Sequence, residues 1–525
     1  MRGSIDRSRE TWSRRDWLIA AGRMGASLAV GASWSWRVWS GPRFVDDPFA
    51  LGVASGDPSP DGVVLWTRLA PDPLGGGGMP ARSVDVTWEV ALDESMRRTV
   101  RRGTVRAFAE LGHAVHVEPI GLEPATEYWY RFTVGNARSP IGRTRTAPAP
   151  GASPERVRLG VCGCNHYEQG WFTAYRHMAE ERFDAIFHTG DYIYEYGTGR
   201  KAIAPERRHL GAETFTLDDY RRRYAQYKLD PDLQAAHASA PFVVTWDDHE
   251  IDNDWASVYS ETRTPPEIFR LRRAAAFQAY YEAMPLRRRA FPGADHLQLY
   301  RQLRFGTLLS INALDTRQYR SRPVCRRRRA ADCAELPDPE RSLLGRRQEG
   351  WLDGRLTGDD ARWNVIAQQV PLFGRDGREP GSNPHAMDKW PGYPASRTRL
   401  IRSIERRASG DVVLLSGDVH SHWAANVPNE VDEPDGRSVA VEFTASSITS
   451  GGDGDDVAHY WPSMRADHPH VTYHSNRRGY LACEITPRLW QTDFRQLDRV
   501  STPDGALLRS RRVVVEPGNP VAHPA

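Results

Sequence analysis

Side chains of the kinds that hold metal ions recur in this sequence just after short apolar runs. Cys164-Asn165-His166 follows Val157-Arg158-Leu159-Gly160-Val161. Gly190-Asp191-Tyr192-Ile193-Tyr194 follows Ala185-Ile186-Phe187. Asp247-Asp248-His249-Glu250, with Asn253 close behind, follows Phe242-Val243-Val244. Gln368-Gln369 follows Trp363-Asn364-Val365-Ile366-Ala367, and Gly417-Asp418-Val419-His420 follows Val412-Val413-Leu414-Leu415. Carboxylate and amide oxygens suit hard cations, whereas thiolate, imidazole and tyrosinate suit iron or zinc. Asp191 is the natural bridge, because a carboxylate has two oxygens and neutralises two cations. Glycine before Asp191 and before Asp418 permits a sharp turn and close approach. The chemistry such a set supports is that of a centre with more than one cation.

Something must bring these segments together. Each apolar run reads as a buried strand. Trp171, Phe172, Tyr175, Met178 and Phe183 recur at roughly helical spacing between the first two runs, and further helices are predicted around 268–283 and 399–406. This alternation predicts an α/β domain with a substantial buried sheet, over residues 156–500. In such sheets ligands bind beyond the carboxyl ends of the strands, which is where the polar clusters fall. Residues 49–145 have a different grammar. Val63–Thr67, Val84–Val90 and Tyr128–Val134 are rich in strand formers and are separated by turn clusters such as Ser59-Pro60-Asp61-Gly62. A small all-β immunoglobulin/fibronectin-like sandwich is predicted there. Leu122–Tyr128 resembles the corner before a late strand in such sandwiches, and Thr146–Pro154 reads as an extended linker.

The blocks Cys164-Asn-His-Tyr-Glu-Gln-Gly, Gly190-Asp-Tyr-Ile-Tyr-Glu-Tyr, Trp246-Asp-Asp-His-Glu-Ile-Asp-Asn, Leu314-Asp-Thr-Arg-Gln-Tyr and Gly417-Asp-Val-His resemble those of the PhoD-type alkaline phosphatases. They do so in order and at similar spacing, over about residues 49 to 500. The resemblance implies a calcineurin-like αββα metallophosphoesterase core, related to purple acid phosphatases. It also implies iron(III) beside calcium, with two calcium ions expected and zinc or manganese less expected. Matched position by position, Cys164, Asp191, Tyr194 and His420 fit the iron-site pattern. Asp191 would bridge to the calcium site, where Asn253 and Asp418 match. Asp248 stands where related phosphoesterases place an Asn ligand in their GNHE block, so Asp248 and Asn253 remain alternatives. Asp191, Asn253 and His420 are the residues the resemblance assigns to the reacting phosphate. Gln368-Gln369 occupies the place where relatives carry a His pair. His422, where small residues are commoner, reads either as a partner behind the ligands or as a surface histidine.

The activity so implied is hydrolysis of phosphate mono- or diesters with an alkaline optimum. A phosphate ester resists attack because its charge repels a nucleophile and its leaving group is poor. Paired cations lower the pKa of bound water and clamp the phosphate oxygens for in-line displacement. No serine nucleophile stands out, since packing or backbone positioning explains Thr444 and Ser446-Ser447, so no covalent phosphoenzyme is expected. The alternatives are a phospholipase D-like activity on lipid head groups and an inert surface-binding protein. The intact ligand set argues against the last.

Several other residues have plainer readings. Cys162 reads as a small core residue. Tyr192 and Tyr196 read as packing, and His249 and Glu250 as a helix start or as supports for the ligands. Arg326–Arg329 reads as a solvated loop, which Cys325 and Cys333 could clip.

With 525 residues the chain is too long for one ordinary domain. Its 70 basic and 67 acidic residues leave a formal charge of +3, so no nucleic-acid footprint and no nucleic-acid partner is expected. Ser13-Arg14-Arg15-Asp16-Trp17-Leu18 resembles a twin-arginine export signal, and the weakly apolar stretch behind it contains Arg23. Residues 1–40 are therefore expected to be a signal segment, with no stable membrane span. The protein is expected in the periplasm or outside the cell, as a monomer. Its expected partners are the twin-arginine translocase during export and phosphate esters as substrates.

Overall fold

Alternation of buried and half-exposed residues separates the two kinds of strand in this chain. In Glu127–Val134 the side chains of Tyr128, Tyr130, Phe132 and Val134 are buried and those between them are not. That is the period of a strand with one wetted face. Asp411–Ser416 is buried at every position, as in a sheet covered on both faces. The computed structural model describes residues 42–525, apart from 294, 326–332, 373–386, 408–409, 431–435, 460, 463–464 and 466–467. The expected signal segment and the Arg326–Arg329 loop lie outside the described residues.

The N-terminal part contains β1 (Val53–Ser59), β2 (Gly62–Arg68), β3 (Val84–Ala91), β4 (Thr99–Ala107), β5 (Ala114–Val117), β6 (Glu127–Val134), β7 (Ala137–Arg138) and β8 (Gly142–Arg145). Strands β4-β3-β6-β7, with β8 also on β6, form a five-stranded antiparallel sheet. It packs its inner face, Val86, Val90, Tyr130 and Phe132, against Val63, Leu65, Val115 and Val117 of β2 and β5. This is the sandwich-like unit. At its corner the Tyr128 hydroxyl accepts from the Glu123 N–H at 2.8 Å, as tyrosines do at such corners.

The rest is built from β9 (Val157–Cys162), α1 (Thr173–Glu180), β10 (Ala185–His188), α2 (Leu217–Lys228), α3 (Pro231–Ser239), β11 (Pro241–Val244) and α4 (Pro266–Ala283). Next come β12 (Arg301–Phe305), β13 (Leu309–Ala313), α5 (Arg346–Gly358), β14 (Trp363–Ala367), α6 (Pro394–Glu405) and β15 (Asp411–Ser416). The series ends with β16 (His422–Pro428), β17 (Ser438–Thr444), β18 (Val471–Ser475), β19 (Gly479–Ile485), β20 (Trp490–Gln496), β21 (Arg511–Glu516) and β22 (Asn519–Pro524). A ten-stranded sheet runs β22-β21-β20-β19-β9-β10-β11-β1-β2-β5, and a seven-stranded one β12-β13-β14-β15-β17-β16-β18.

The two sheets pack face to face through Leu159, Val161, Phe187 and Val243 of the first and Ile311, Val365, Val413 and Phe443 of the second. Helices α1 to α4 cover the outer face of the ten-stranded sheet and α5 and α6 that of the other. The layers are therefore α-β-β-α, as the resemblance implied. The sandwich and the core share a sheet, because β1 pairs in parallel with β11. The same sheet continues through β21 and β22, past the expected domain end at residue 500, and β21 carries the β-branched run Val513-Val514-Val515. Among the described residues no helix is long and apolar enough to cross a membrane.

Candidate metal centre

Strands β9, β10 and β11 are parallel and in step, with His188 opposite Cys162 on one side and Val244 on the other. Strands β14 and β15 are likewise parallel and in step, with Ala367 opposite Leu415. The carboxyl ends of both sheets thus release their chains toward one place. The turns are held to one another by backbone bonds: Cys164 N–H donates to Gly190 O at 3.0 Å and Asn165 N–H to Asp191 O at 3.1 Å. Gln369 joins the two sheets, its Nε2 donating to Thr245 Oγ1 and Leu314 O, both at 2.8 Å. Gln368 meanwhile accepts from Trp390 Nε1 at 3.0 Å. Both glutamines are occupied within the fold.

The backbone is bent hard at the site. Cys164, Asp191, Asp418 and His420 have φ of 56°, 55°, 67° and 54°. Left-handed conformations are uncommon outside glycine and persist where surrounding structure imposes them, typically at functional sites. Gly190, at φ 111°, precedes Asp191, and a Cβ there would collide with the backbone of Asp247.

Six of the seven nominated ligands meet in a continuous run of donor atoms. Those of Cys164, Asp191 and His420 lie within 4.8 Å of one another, as do those of Asp191, Asp248 and His249, and those of Asp247, Asp248 and Asp418. Asp191 belongs to the first two groups and Asp248 to the last two. Tyr194 Oη lies 2.9 Å from Asp191 Oδ2 and 3.4 Å from His420 Nε2. The seventh, Asn253, sits beside this run: its Oδ1 accepts from the Tyr196 hydroxyl at 3.2 Å and its N–H donates to Glu195 at 3.0 Å.

Burial pushes Asp191 well above the usual carboxylate range; His249 opposes this, while Asp248, Glu250 and Asp418 add to it. Burial, then Asp191 and Asp418, also hold the Cys164 thiol up. Burial and then Arg478 pull His420 down to about 3. Crowded, desolvated anions of this kind are unfavourable together and are relieved by cations. His249 differs. Burial works against its charged form, but Glu195, 2.7 Å from its Nδ1, and then Asp248 and Asp191 outweigh that and raise it.

Several residues support the site, of which the sequence suggested Glu250 and did not suggest Ser450 or Lys389. Glu250, fully buried, accepts from the N–H groups of Asp191 (3.1 Å), Tyr192 (2.6 Å) and Asp247 (2.9 Å), fixing two strand ends at once. The hydroxyl of Ser450 lies 2.6 Å from Tyr194 Oη and 2.7 Å from Cys164 O. Arg317, in the quoted Leu314–Tyr319 block, is buried with Nε 2.5 Å from Asp247 and outer nitrogens 3.6 Å from Asp248 and from Asp418. Lys389 donates to Asp418. The only sequence hint for Arg317 was its block. Lys389 lies just past a Gly-, Pro- and Asn-containing stretch with no periodicity, and nothing marked it.

Several plainer readings are decided by position. His422 is not at the surface: it is fully buried, its Nδ1 accepts from Ser446 N–H at 3.1 Å, and burial pulls it down to about 3. Cys162 is a buried free thiol of the core, while Cys325 and Cys333 are joined by a disulfide. Tyr192 packs in the core, its hydroxyl 2.8 Å from His237 Nε2.

Two helix-covered sheets with a multi-acid donor cluster at their joint carboxyl ends form a core suited to metal-dependent hydrolysis. Residues 159–494 match the model of the PhoD-like phosphatases, and residues 34–148 that of the PhoD-like phosphatase N-terminal domain. The chain is 46% identical over 504 residues to alkaline phosphatase D of Bacillus subtilis (strain 168), covering 95% of this chain and 86% of that one. The solved structure of PhoD superposes with a TM-score of 0.88 at 45% identity, covering 92% of this chain and 93% of that one. The chain belongs to the PhoD-like phosphatase family and is a phosphoric ester hydrolase.

Proposed function

We propose that this chain cleaves phosphate mono- or diesters at alkaline pH with iron(III) and calcium held at the joint strand ends. The observation that carries this is the shared membership of Asp191 and Asp248 in successive groups of donor atoms. Cys164, Tyr194 and His420, with Asp191, offer the thiolate, phenolate and imidazole donors that suit iron(III). Asp191, Asp248 and Asp418 offer the hard oxygens that suit calcium, and Asn253 would join them through its amide oxygen. When bound, such a pair of cations lowers the pKa of water and offsets the phosphate's charge.

The chain's own groups then keep the site in shape. Glu250 holds the turns that carry Asp191 and Asp247. Ser450 holds Cys164 against Tyr194. Glu195 holds His249 through its ring and Asn253 through its backbone. Metal analysis of the purified protein, run beside a panel of a phosphate monoester, a diester and a choline phospholipid, tests the reading. We expect iron and calcium with turnover of the simple esters. Zinc alone with full activity would overturn the metal identities, and activity confined to the phospholipid would overturn the substrate class.

Export by the twin-arginine route, as a folded monomer, belongs to the same reading. It rests on the order Ser13-Arg14-Arg15-Asp16-Trp17-Leu18 and is supported by the Cys325–Cys333 disulfide, a bond that persists in oxidising compartments. Replacing Arg14 and Arg15 together with Lys should strand the precursor inside the cell; normal export of that variant removes the assignment.

A further inference from the structure

Lys389 brings an ammonium group into the acidic end of the site. Its Nζ donates to Asp418 Oδ2 and lies 3.6 Å from Asp388 Oδ2. The side chains of Lys389, Asp388 and Asp418 are 16%, 17% and 10% exposed, so all three keep some access to solvent. Asp418 also belongs to the group it forms with Asp247 and Asp248.

The backbone beneath Lys389 is tied down. The Lys389 carbonyl accepts from Gly392 N–H at 2.9 Å, and Arg320 donates to the Asp388 carbonyl at 2.7 Å. Trp390 is buried and bonded to Gln368, and Met387 packs with Cys333 and Leu336. The freedom left is that of the four-carbon lysine stem, which reaches either carboxylate. Arg317, which also reaches Asp418, is fully buried and fixed by Asp247, so it is the static member of the pair.

An ammonium and a divalent cation held at one carboxylate repel each other, so each weakens the other's hold on Asp418. We propose that Lys389 competes with a divalent cation for Asp418 and withdraws to Asp388 when the cation binds, so that this lysine sets the cation affinity of the Asp418 position. The proposal rests on the reading of Asp418 as a cation ligand. Lys389 is a positioning residue in this scheme, because it acts through Asp418.

The test is calorimetric titration of calcium chloride into the full chain after its calcium has been removed with a chelator. Lys389→Gln should bind calcium about tenfold more tightly, the size expected when a like charge a few ångströms away is deleted. Asp388→Asn keeps the lysine but removes its second seat, so it should bind calcium more weakly. The sign is diagnostic, since damage to the fold would weaken binding in both. A folded Lys389→Gln variant with unchanged or weaker affinity overturns the proposal. Should that variant fail to fold, unchanged or tighter binding in Asp388→Asn does the same. Asp418→Asn separates the two readings. If it loses calcium while Lys389→Gln has no effect, only the competition falls; if it binds calcium normally, the ligand assignment falls as well.

Discussion

The hydroxyl of Tyr194 lies 2.9 Å from Oδ2 of Asp191, the residue three places earlier in the chain. The left-handed turn at Asp191 folds the chain back far enough to present both oxygens to one point, next to His420 and Cys164. A phenolate or thiolate on iron(III) donates charge to the metal and absorbs visible light. The purified protein should therefore be coloured, and the band should weaken on reduction. Tyr194→Phe keeps the ring and removes the oxygen, so it should bleach or shift the band. A colourless, fully active protein would exclude this arrangement, and unchanged colour in the variant would leave Cys164 as the donor.

Glu250 gives a second prediction. One carboxylate oxygen accepts from Tyr192 N–H, and the other accepts from those of Asp191 and Asp247. An amide has only one oxygen, so Glu250→Gln leaves at least one buried N–H facing a donor, at a cost of about 1–3 kcal/mol. We expect a stability loss of that size, with turnover down by roughly one to two orders of magnitude as the carriers of Asp191 and Asp247 lose their common anchor. Wild-type turnover with wild-type unfolding would show that the turns hold without it.

The residues that touch the site were largely legible because strand ends are local features. An apolar run followed by Asp, Cys or His states both where the sheet stops and what it presents. Asp248 could not be separated from Asn253 in the sequence, because the choice depends on which of the two turns toward Asp191 and which toward Tyr196. Glu250, Lys389 and Ser450 act across 58, 29 and 256 positions of chain, on Tyr192, Asp418 and Tyr194. No local pattern encodes such a pairing, although the acidic run around Asp248 did suggest Glu250 as a support without showing what it holds. The sandwich was readable from the alternation in Glu127–Val134, but the parallel pairing of Ser55 with Pro241, which runs its second sheet into the core, was not.

Lys228 predicts a pH dependence of stability. It is buried with its Nζ 4.1 Å from the Trp66 ring centre and 5.3 Å from that of Tyr192. Burial, and then Arg68, pull it from the ordinary 10.5 down to about 7. Between those values the unfolded chain holds a proton that the folded chain lacks, so stability from this group rises with pH across that window. Lys228→Met should raise stability near pH 7 and flatten the pH dependence by about 1–2 kcal/mol between about pH 7 and about pH 9. Urea unfolding of both proteins at the two pH values checks it, and parallel pH profiles would contradict it.

Bridging of the cations by Asp191 is checked by elemental analysis of Asp191→Asn beside the wild-type protein. An amide cannot supply the charge of a carboxylate shared between two cations. The variant should lose iron and calcium together. A variant that retains the full wild-type complement of both metals would contradict it.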